Sequence, residues 1–238
     1  MNRVFVGGGV RPKFLALSLI VLTGGAAQAQ TQAEPRRWYI AGAVTGSAPE
    51  KPQQTIANAP VPGATLHVIN DVDFGWGGQI AVGYEWNALR IEAEIGHTEN
   101  HSSHYSAISP IAITLPQSGK NNVTRYMANA YLEPFRARWA ISPYLGFGLG
   151  AAHGHLTTIA APARAPSAPP SQLLDIKDTR FTWQVMGGLS VPVTSRLAFT
   201  AQYRWLDAGT FHGVDSRGER ATRTIRGNNV DVGLRIAF

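Results

Sequence analysis

The chain has 238 residues, a formal net charge of +6, 44% apolar residues and no cysteine. That length suits one ordinary domain, and an exported chain without cysteine cannot belong to the disulfide-stapled class. Basic residues are scattered rather than gathered into a block, which excludes the electrostatic footprint of a nucleic-acid-binding protein.

The N-terminus reads as an export signal. Arg3, Arg11 and Lys13 precede the apolar run Phe14 to Leu22, which is broken only by Ser18, and Ala27-Gln28-Ala29 places small residues where a signal peptidase cuts. The run is far shorter than the roughly 20 apolar residues of a membrane-spanning helix. Residues 1–29 are therefore expected to be a cleaved signal peptide, and residues 30–37 a short periplasmic lead. Losing those three basic residues from the 21 leaves 18 against 15 acidic ones, a net charge of +3. No hydrophobic helix follows, so a mature chain that enters a membrane must do so as a barrel.

From Trp38 onward the hydrophobic period is two. The spacing predicts eight strands near 38–46, 74–86, 89–100, 123–135, 143–155, 180–193, 196–209 and 226–238. The second alternates Ile80, Val82, Tyr84 and Trp86 with Gln79, Ala81, Gly83 and Glu85. The last places Val230, Val232, Leu234, Ile236 and Phe238 on one face, and Asn229, Asp231, Gly233, Arg235 and Ala237 on the other. Most of these segments exceed the roughly 9–11 residues that a tilted strand needs to cross hydrocarbon.

The connections alternate as well. Asn87-Ala88 and Thr194-Ser195 read as two-residue turns and 136–142 as a short third, whereas 47–73, 101–122, 156–179 and 210–225 read as long, flexible loops. The proline-rich stretch 161–171 is expected not to pair as a strand. Short turns at one end and long loops at the other are the layout of an outer-membrane barrel. The polar face mixes Arg90, Arg125, Arg204 and Arg235 with Glu85, Glu92, Glu94, Glu133 and Asp231. Such a set suits a crowded interior that neutralises itself, with the apolar face turned to lipid. Trp38, Trp86, Tyr126, Trp183 and Trp205 fall near strand ends, where interfacial girdles form.

The stretches 142–151 (SPYLGFGLGA), 187–193 (GGLSVPV), 201–209 (AQYRWLDAG) and 232–238 (VGLRIAF) carry a resemblance. Across residues 38–238 the chain resembles the small outer-membrane β-barrels related to OmpA, OmpX and the Opa-type surface antigens. The resemblance implies an eight-stranded antiparallel up-and-down transmembrane β-barrel in a bacterial outer membrane, without enzymatic activity. It implies that the closing strand and Phe238 are read by the barrel-assembly machinery. Outer-membrane lipid and lipopolysaccharide are the expected surroundings, and the loops would meet any extracellular ligand. With the chain ending at Phe238, the peptidoglycan-binding domain of longer members is expected to be missing.

Three groups of residues invite a chemical reading. His97, His101 and His104, with His153 and His155, are of a type that ligates Zn²⁺ or Cu²⁺, but their spacing suits wet loops equally. Glu92 and Glu94 resemble a carboxylate pair, yet the neighbouring arginines make interior ion pairs the simpler account. His101-Ser102-Ser103-His104 and Asp207 supply the residue types of a lipid-modifying hydrolase without its spacing. The glycines at 75, 77 and 78 precede no helix and are not a phosphate loop. The expectation is a structural or surface-interaction protein with no catalytic, cofactor or metal residue. A small pore or ligand-binding barrel and a lipid A-modifying outer-membrane enzyme are the alternatives.

Overall fold

A computed structural model describes residues 37–58, 62–110, 113–135, 140–160 and 171–238. The expected signal peptide, all but Arg37 of the expected lead, and residues 161–170 of the proline-rich stretch lie outside them. The strands are β1 (Arg37–Pro49), β2 (Gln53–Ala57), β3 (Thr65–Val72), β4 (Gly75–Trp86), β5 (Leu89–Ser109), β6 (Ile113–Leu132), β7 (Ser142–Ala160), β8 (Ser171–Pro192), β9 (Leu197–Asp215) and β10 (Arg220–Ala237).

All pairings are antiparallel. β1, β4, β5, β6, β7, β8, β9 and β10 pair in that order, and β10 returns to β1 through Tyr39 opposite Ala237 and onward to Pro49 opposite Gly227. The ring therefore closes with eight strands, and no edge is left to water or lipid. Polar side chains point inward because the alternation leaves them no other face. Trp38, Ile40, Val44, Ile80, Val82, Leu145, Phe147, Leu234 and Phe238 are exposed outward, while Glu94, Arg125, Arg204 and Asp231 are buried inside. At ~3.3 Å per residue and a tilt of ~40°, the stretch from Asn228 to Phe238 rises roughly 27 Å, about the height of a barrel's apolar band.

The expected long loops are corrected by the structure. β5, β6, β7, β8, β9 and β10 continue as strands well past the apolar band, to Ser109, Ala160 and Asp215 at their far ends. Among the described residues, the first connection adds strands of its own. β1 stops at Pro49 and β4 starts at Gly75, and between them β2 and β3 form a hairpin. β2 pairs with β10 (Thr222 opposite Thr55) and β3 with β5 (Asn70 opposite Tyr105). Above the band the ring is again eight strands, with β2 in place of β1 beside β10 and β3 in place of β4 beside β5. The reading as loops failed because the pattern inverts there, with polar side chains such as Thr222, Thr224 and Lys177 outward and apolar ones such as Leu156, Leu174 and Ile225 inward. Ser171, placed in the unpaired stretch by its proline-rich context, pairs with Ala160.

Large inward side chains lie over glycines on the paired strand. Tyr39 faces Gly83, Tyr131 faces Gly146, Tyr144 faces Gly188 and Arg125 faces Gly96. A Cβ added at Gly83 would meet the Tyr39 ring at 2.2 Å, and one at Gly146 would meet Tyr131 at 2.4 Å. The lumen of eight strands has no spare width, so a bulky residue needs a neighbour without a side chain. At outward Gly42 the nearest atom to an added Cβ is 3.8 Å away. Gly83→Val is expected to lower stability by about 1–3 kcal/mol through overpacking, with Gly42→Ala near neutral. Urea midpoints in lipid vesicles, read from the heat-modifiable gel band, distinguish the two.

Candidate functional site

The lumen is built in layers. At the short-turn end, Arg235 Nε lies 3.1 Å from Glu85 and its Nη1 lies 3.5 Å from Glu133, while Arg37 approaches Glu85 from the rim at 3.1 Å. Beside them the Arg90 guanidinium sits 4.2 Å from the Tyr131 ring centroid and 4.9 Å from that of Tyr144. The Tyr39 hydroxyl donates to Glu92 at 2.8 Å and the Tyr131 hydroxyl to the same carboxylate at 3.3 Å.

The middle layer is centred on Arg204. Its guanidinium donates to Glu94 at 2.6 Å, to Asp231 at 3.0 Å, to Gln184 at 2.9 Å and to Gln79 at 2.6 Å. Asn129 donates to Glu94, and Gln202 and Thr45 donate to Asp231. Strands β1, β4, β5, β6, β8, β9 and β10 thus converge on one cation. Arg125, also fully buried, lies 3.9 Å from Glu94. The arginines and carboxylates singled out in the sequence are therefore brought together, as interior ion pairs and not as a carboxylate pair open to substrate.

Above this layer the interior turns apolar. Val123, Leu156, Leu174, Ile176, Leu206, Phe211 and Ile225 form one buried cluster. Higher still is Arg223, fully buried, which donates to Gln54 at 3.1 Å, to Asn121 at 2.8 Å and to Thr158 at 2.7 Å. It has no carboxylate partner among these bonds, and burial lowers its pKa to about 10. Through Gln54 it ties the β2–β3 hairpin to β6, β7 and β10. Arg223 escaped the sequence reading because 210–225 was taken as loop. The unbroken alternation Ala221, Arg223, Ile225 is the signal that marks it as inward. Two cavities within the lumen measure about 40 and 20 Å³, and a third of about 150 Å³ lies at the short-turn end beside Glu85, Glu133 and Arg235.

The other candidate groups do not converge. His97 and His153 point outward on β5 and β7 with Thr124 of β6 between them in register. His97 Nδ1 bonds Thr124, His153 Nδ1 bonds Thr179, and His155 Nε2 lies 3.0 Å from Asp175. Among the described residues no three histidine or acidic side chains gather as a metal site would require. Ser102 is buried in the lumen under Asn121, Ser103 bonds Asp73, and Asp207 pairs with Arg226 on the far side.

Beyond the apolar band, aspartates replace missing ladder bonds. The β8–β9 ladder breaks between Asp175 and Trp183, and there Asp178 accepts from the backbone N–H groups of His212 and Thr179 and from Arg180. Asp215 closes the β9–β10 turn by accepting from the N–H groups of Arg217 and Glu219 and from the Arg217 side chain. Burial would raise both pKa values, but these donors outweigh it and hold both carboxyls below the usual range.

Two predictions follow from these contacts. Arg204→Met strands Glu94 and Asp231 and is expected to cost about 3–5 kcal/mol, while the added Glu94→Gln and Asp231→Asn changes recover most of it. Urea unfolding in vesicles measures both. A carboxyl whose folded pKa is depressed stabilises above its unfolded value and stops doing so as pH falls through the folded one. Amide-exchange protection at His212 and Glu219 is therefore expected to hold at neutral pH and to fade below about pH 4.

Comparison with known proteins gives a consistent picture. The model of the outer membrane protein beta-barrel domain matches residues 17–238. Outer membrane protein PagN of Salmonella typhimurium is 27% identical over 178 residues, covering 68% of this chain and 73% of that protein. Among solved structures, OprG from Pseudomonas aeruginosa aligns over 86% of this chain and 97% of its own at 12% identity, with a TM-score of 0.54. Neisserial surface protein A aligns over 86% of this chain and 100% of its own at 17% identity, with a TM-score of 0.48.

Proposed function

Because the chain belongs to the outer membrane protein beta-barrel domain family, we propose that it works as a surface-interaction protein, with the barrel as anchor and the strand extensions as contact surface. The localisation is the Gram-negative outer membrane. The observation that carries the role is the filled lumen. Ion pairs, the Arg204 layer, the apolar cluster around Phe211 and the Arg223 lock succeed one another along the axis. That interior suits an anchor and argues against a solute path. Exposed Lys51, Lys120, Lys177 and Asp175 leave the upper wall available to partners.

The same reading assigns no catalytic residue. The hydrolase candidates Ser102, Ser103 and Asp207 divide between lumen, rim and opposite wall, which does not assemble them into one site. Outer-leaflet lipid and lipopolysaccharide are proposed as the neighbours of the apolar wall. The β10 strand is proposed as the element met by the assembly machinery. Just past its end the N–H of Phe238 donates to Trp38 O at 2.9 Å, across the seam where β10 meets β1.

Three measurements test the role together. Protease shaving of intact cells is expected to cleave only beyond the apolar band. Planar bilayers holding the purified protein are expected to stay electrically silent, and lipid A mass spectra to be identical with and without it. Steady conductance, or a changed lipid A mass, overturns the reading.

A further inference from the structure

The wall is irregular at the foot of the outer storey. β1 ends at Pro49, opposite Gly227, and pairing with β10 resumes at Gln54, opposite Arg223. Residues 50–53 therefore face only 224–226 and cannot lie flat against them. On the other side of β10 the register slips at the same level. Thr224 lies opposite Thr210 but Arg226 opposite Asp207, so Ala208 and Gly209 together face Ile225. Gly209 takes a φ of 78°, which favours glycine, and its N–H donates to Asp207 Oδ1 at 2.9 Å.

The two bulges leave a hollow of about 270 Å³, lined by Glu50, Lys51, Gln53, Thr210, Thr224 and Arg226. Phe211 and Ile225 are buried in the lumen, so Thr210, Thr224 and Arg226 turn to the outer wall. The hollow lies just past Asn228, where the apolar band ends.

Its charged side chains are tethered by one atom and present another. Arg226 Nε donates to Asp207 at 2.9 Å, and its two terminal nitrogens make no hydrogen bond among the described residues. Glu50 Oε1 accepts from the Trp205 indole at 3.0 Å, which leaves Oε2 without a partner among the described residues. Trp205 is itself packed on Trp183, with ring centroids 4.9 Å apart. The Thr210 and Thr224 hydroxyls share one hydrogen bond at 2.8 Å, so a second hydroxyl proton remains for donation. Long side chains usually lose rotamer freedom when a ligand arrives, and here Arg226 and Glu50 are already held.

The lining selects by charge. Asp207 offsets Arg226 and Asp71 offsets Lys51 at 3.1 Å, which leaves Glu50 as the remaining charge. An anion would meet that carboxylate, and a cation would meet the arginine and lysine. A neutral group that both donates and accepts avoids both repulsions. Adjacent hydroxyls on a ring are such a group. The guanidinium fork donates to two neighbouring oxygens, while their protons go to Glu50 Oε2 and the amide oxygen of exposed Gln53. The volume falls below the roughly 300–1,000 Å³ of drug-sized pockets, so it suits one ring and not a chain of them.

We propose that this hollow binds one neutral pyranose through adjacent hydroxyls, with Arg226 and Glu50 as the recognising pair. The site rests on the surface-interaction role above and gives it a ligand class. Neutral hexoses are carried both by the core of the surrounding glycolipid and by extracellular glycans, and the recognition chemistry is common to the two.

NMR titration of the full mature chain, folded in a phosphocholine detergent that carries no sugar, tests this. The reporter is the Trp205 indole N–H, which is bonded to Glu50. The probes are glucose, galactose and mannose, with glucuronate and glucosamine as charged analogues. At least one neutral hexose is expected to saturate the shift with a dissociation constant of about 1–10 mM, as suits a small, wet site. The charged analogues are expected to bind at least about fivefold more weakly. Arg226→Lys keeps the pair with Asp207 but loses the planar fork, and is expected to weaken the hexose about tenfold. The variant is checked for the heat-modifiable band, and the wild-type titrations stand without it. In nanodiscs, loss of the hexose shift only beside glycolipid with a complete core assigns the site to that core. An equal shift beside complete and heptose-less glycolipid assigns it to outside glycans. No saturable shift with any of the neutral hexoses overturns the site, and so does folded Arg226→Lys binding as the wild type does. Glucuronate or glucosamine bound as tightly as the hexose overturns the neutral assignment. A protein that fails these titrations but stays silent in planar bilayers and leaves lipid A unchanged keeps its surface-interaction role. Steady conductance removes that role and leaves the titrations to stand or fall alone.

Discussion

Closing eight strands into a ring fixes the bore, and everything inside must both fill that bore and cancel its own charge. Arg204 meets both demands at once. Its guanidinium contacts Asp231 on the adjoining β10 and reaches across the bore to Glu94 on β5. An uncompensated charge in that position would carry a heavy desolvation penalty. The neighbouring amides of Gln79, Gln184, Asn129 and Gln202 satisfy the remaining lone pairs and donors. With the centre self-contained, the outer face is free to be wholly apolar, and the membrane can be crossed without any side chain reaching for water.

The layers divide the labour. Tyr39, Tyr131 and Tyr144 crowd the Arg90 end, each relieved by a glycine on the adjoining strand. The apolar cluster around Phe211 then replaces the charged interior once the barrel leaves hydrocarbon. A core of water-soluble type thus stands on a membrane-type one within a single tube. The change of solvent outside is mirrored by the change of packing inside.

Much of this was legible from residue order. Strict alternation from Leu89 to Gly96 and from Asn229 to Phe238 gave the membrane strands, their facing and their inward charges, because a period of two against lipid leaves no freedom of register. The outer storey was hidden for the converse reason. With water outside, Thr222, Thr224, His97 and Lys177 can occupy outward positions at no cost, and the apolar half of the pattern moves to the inward face at Leu156, Leu174 and Ile225. Pro49 and Pro52 read as loop punctuation. In the structure they flank the step from β1 into the β2 hairpin. The contacts made by Arg223 and Asp178 depend on strands distant in sequence, so no spacing rule exposes them.

The exchange of β1 and β4 for β2 and β3 separates two properties that a simple barrel keeps together. Strands β5 and β10 carry one set of neighbours below and another above, so the seam between storeys is a change of partners along continuous strands. The tower can therefore lengthen, shorten or change its summit through its hairpins without touching the residues that meet hydrocarbon. Surface variation and membrane integrity are carried by different stretches of the same chain.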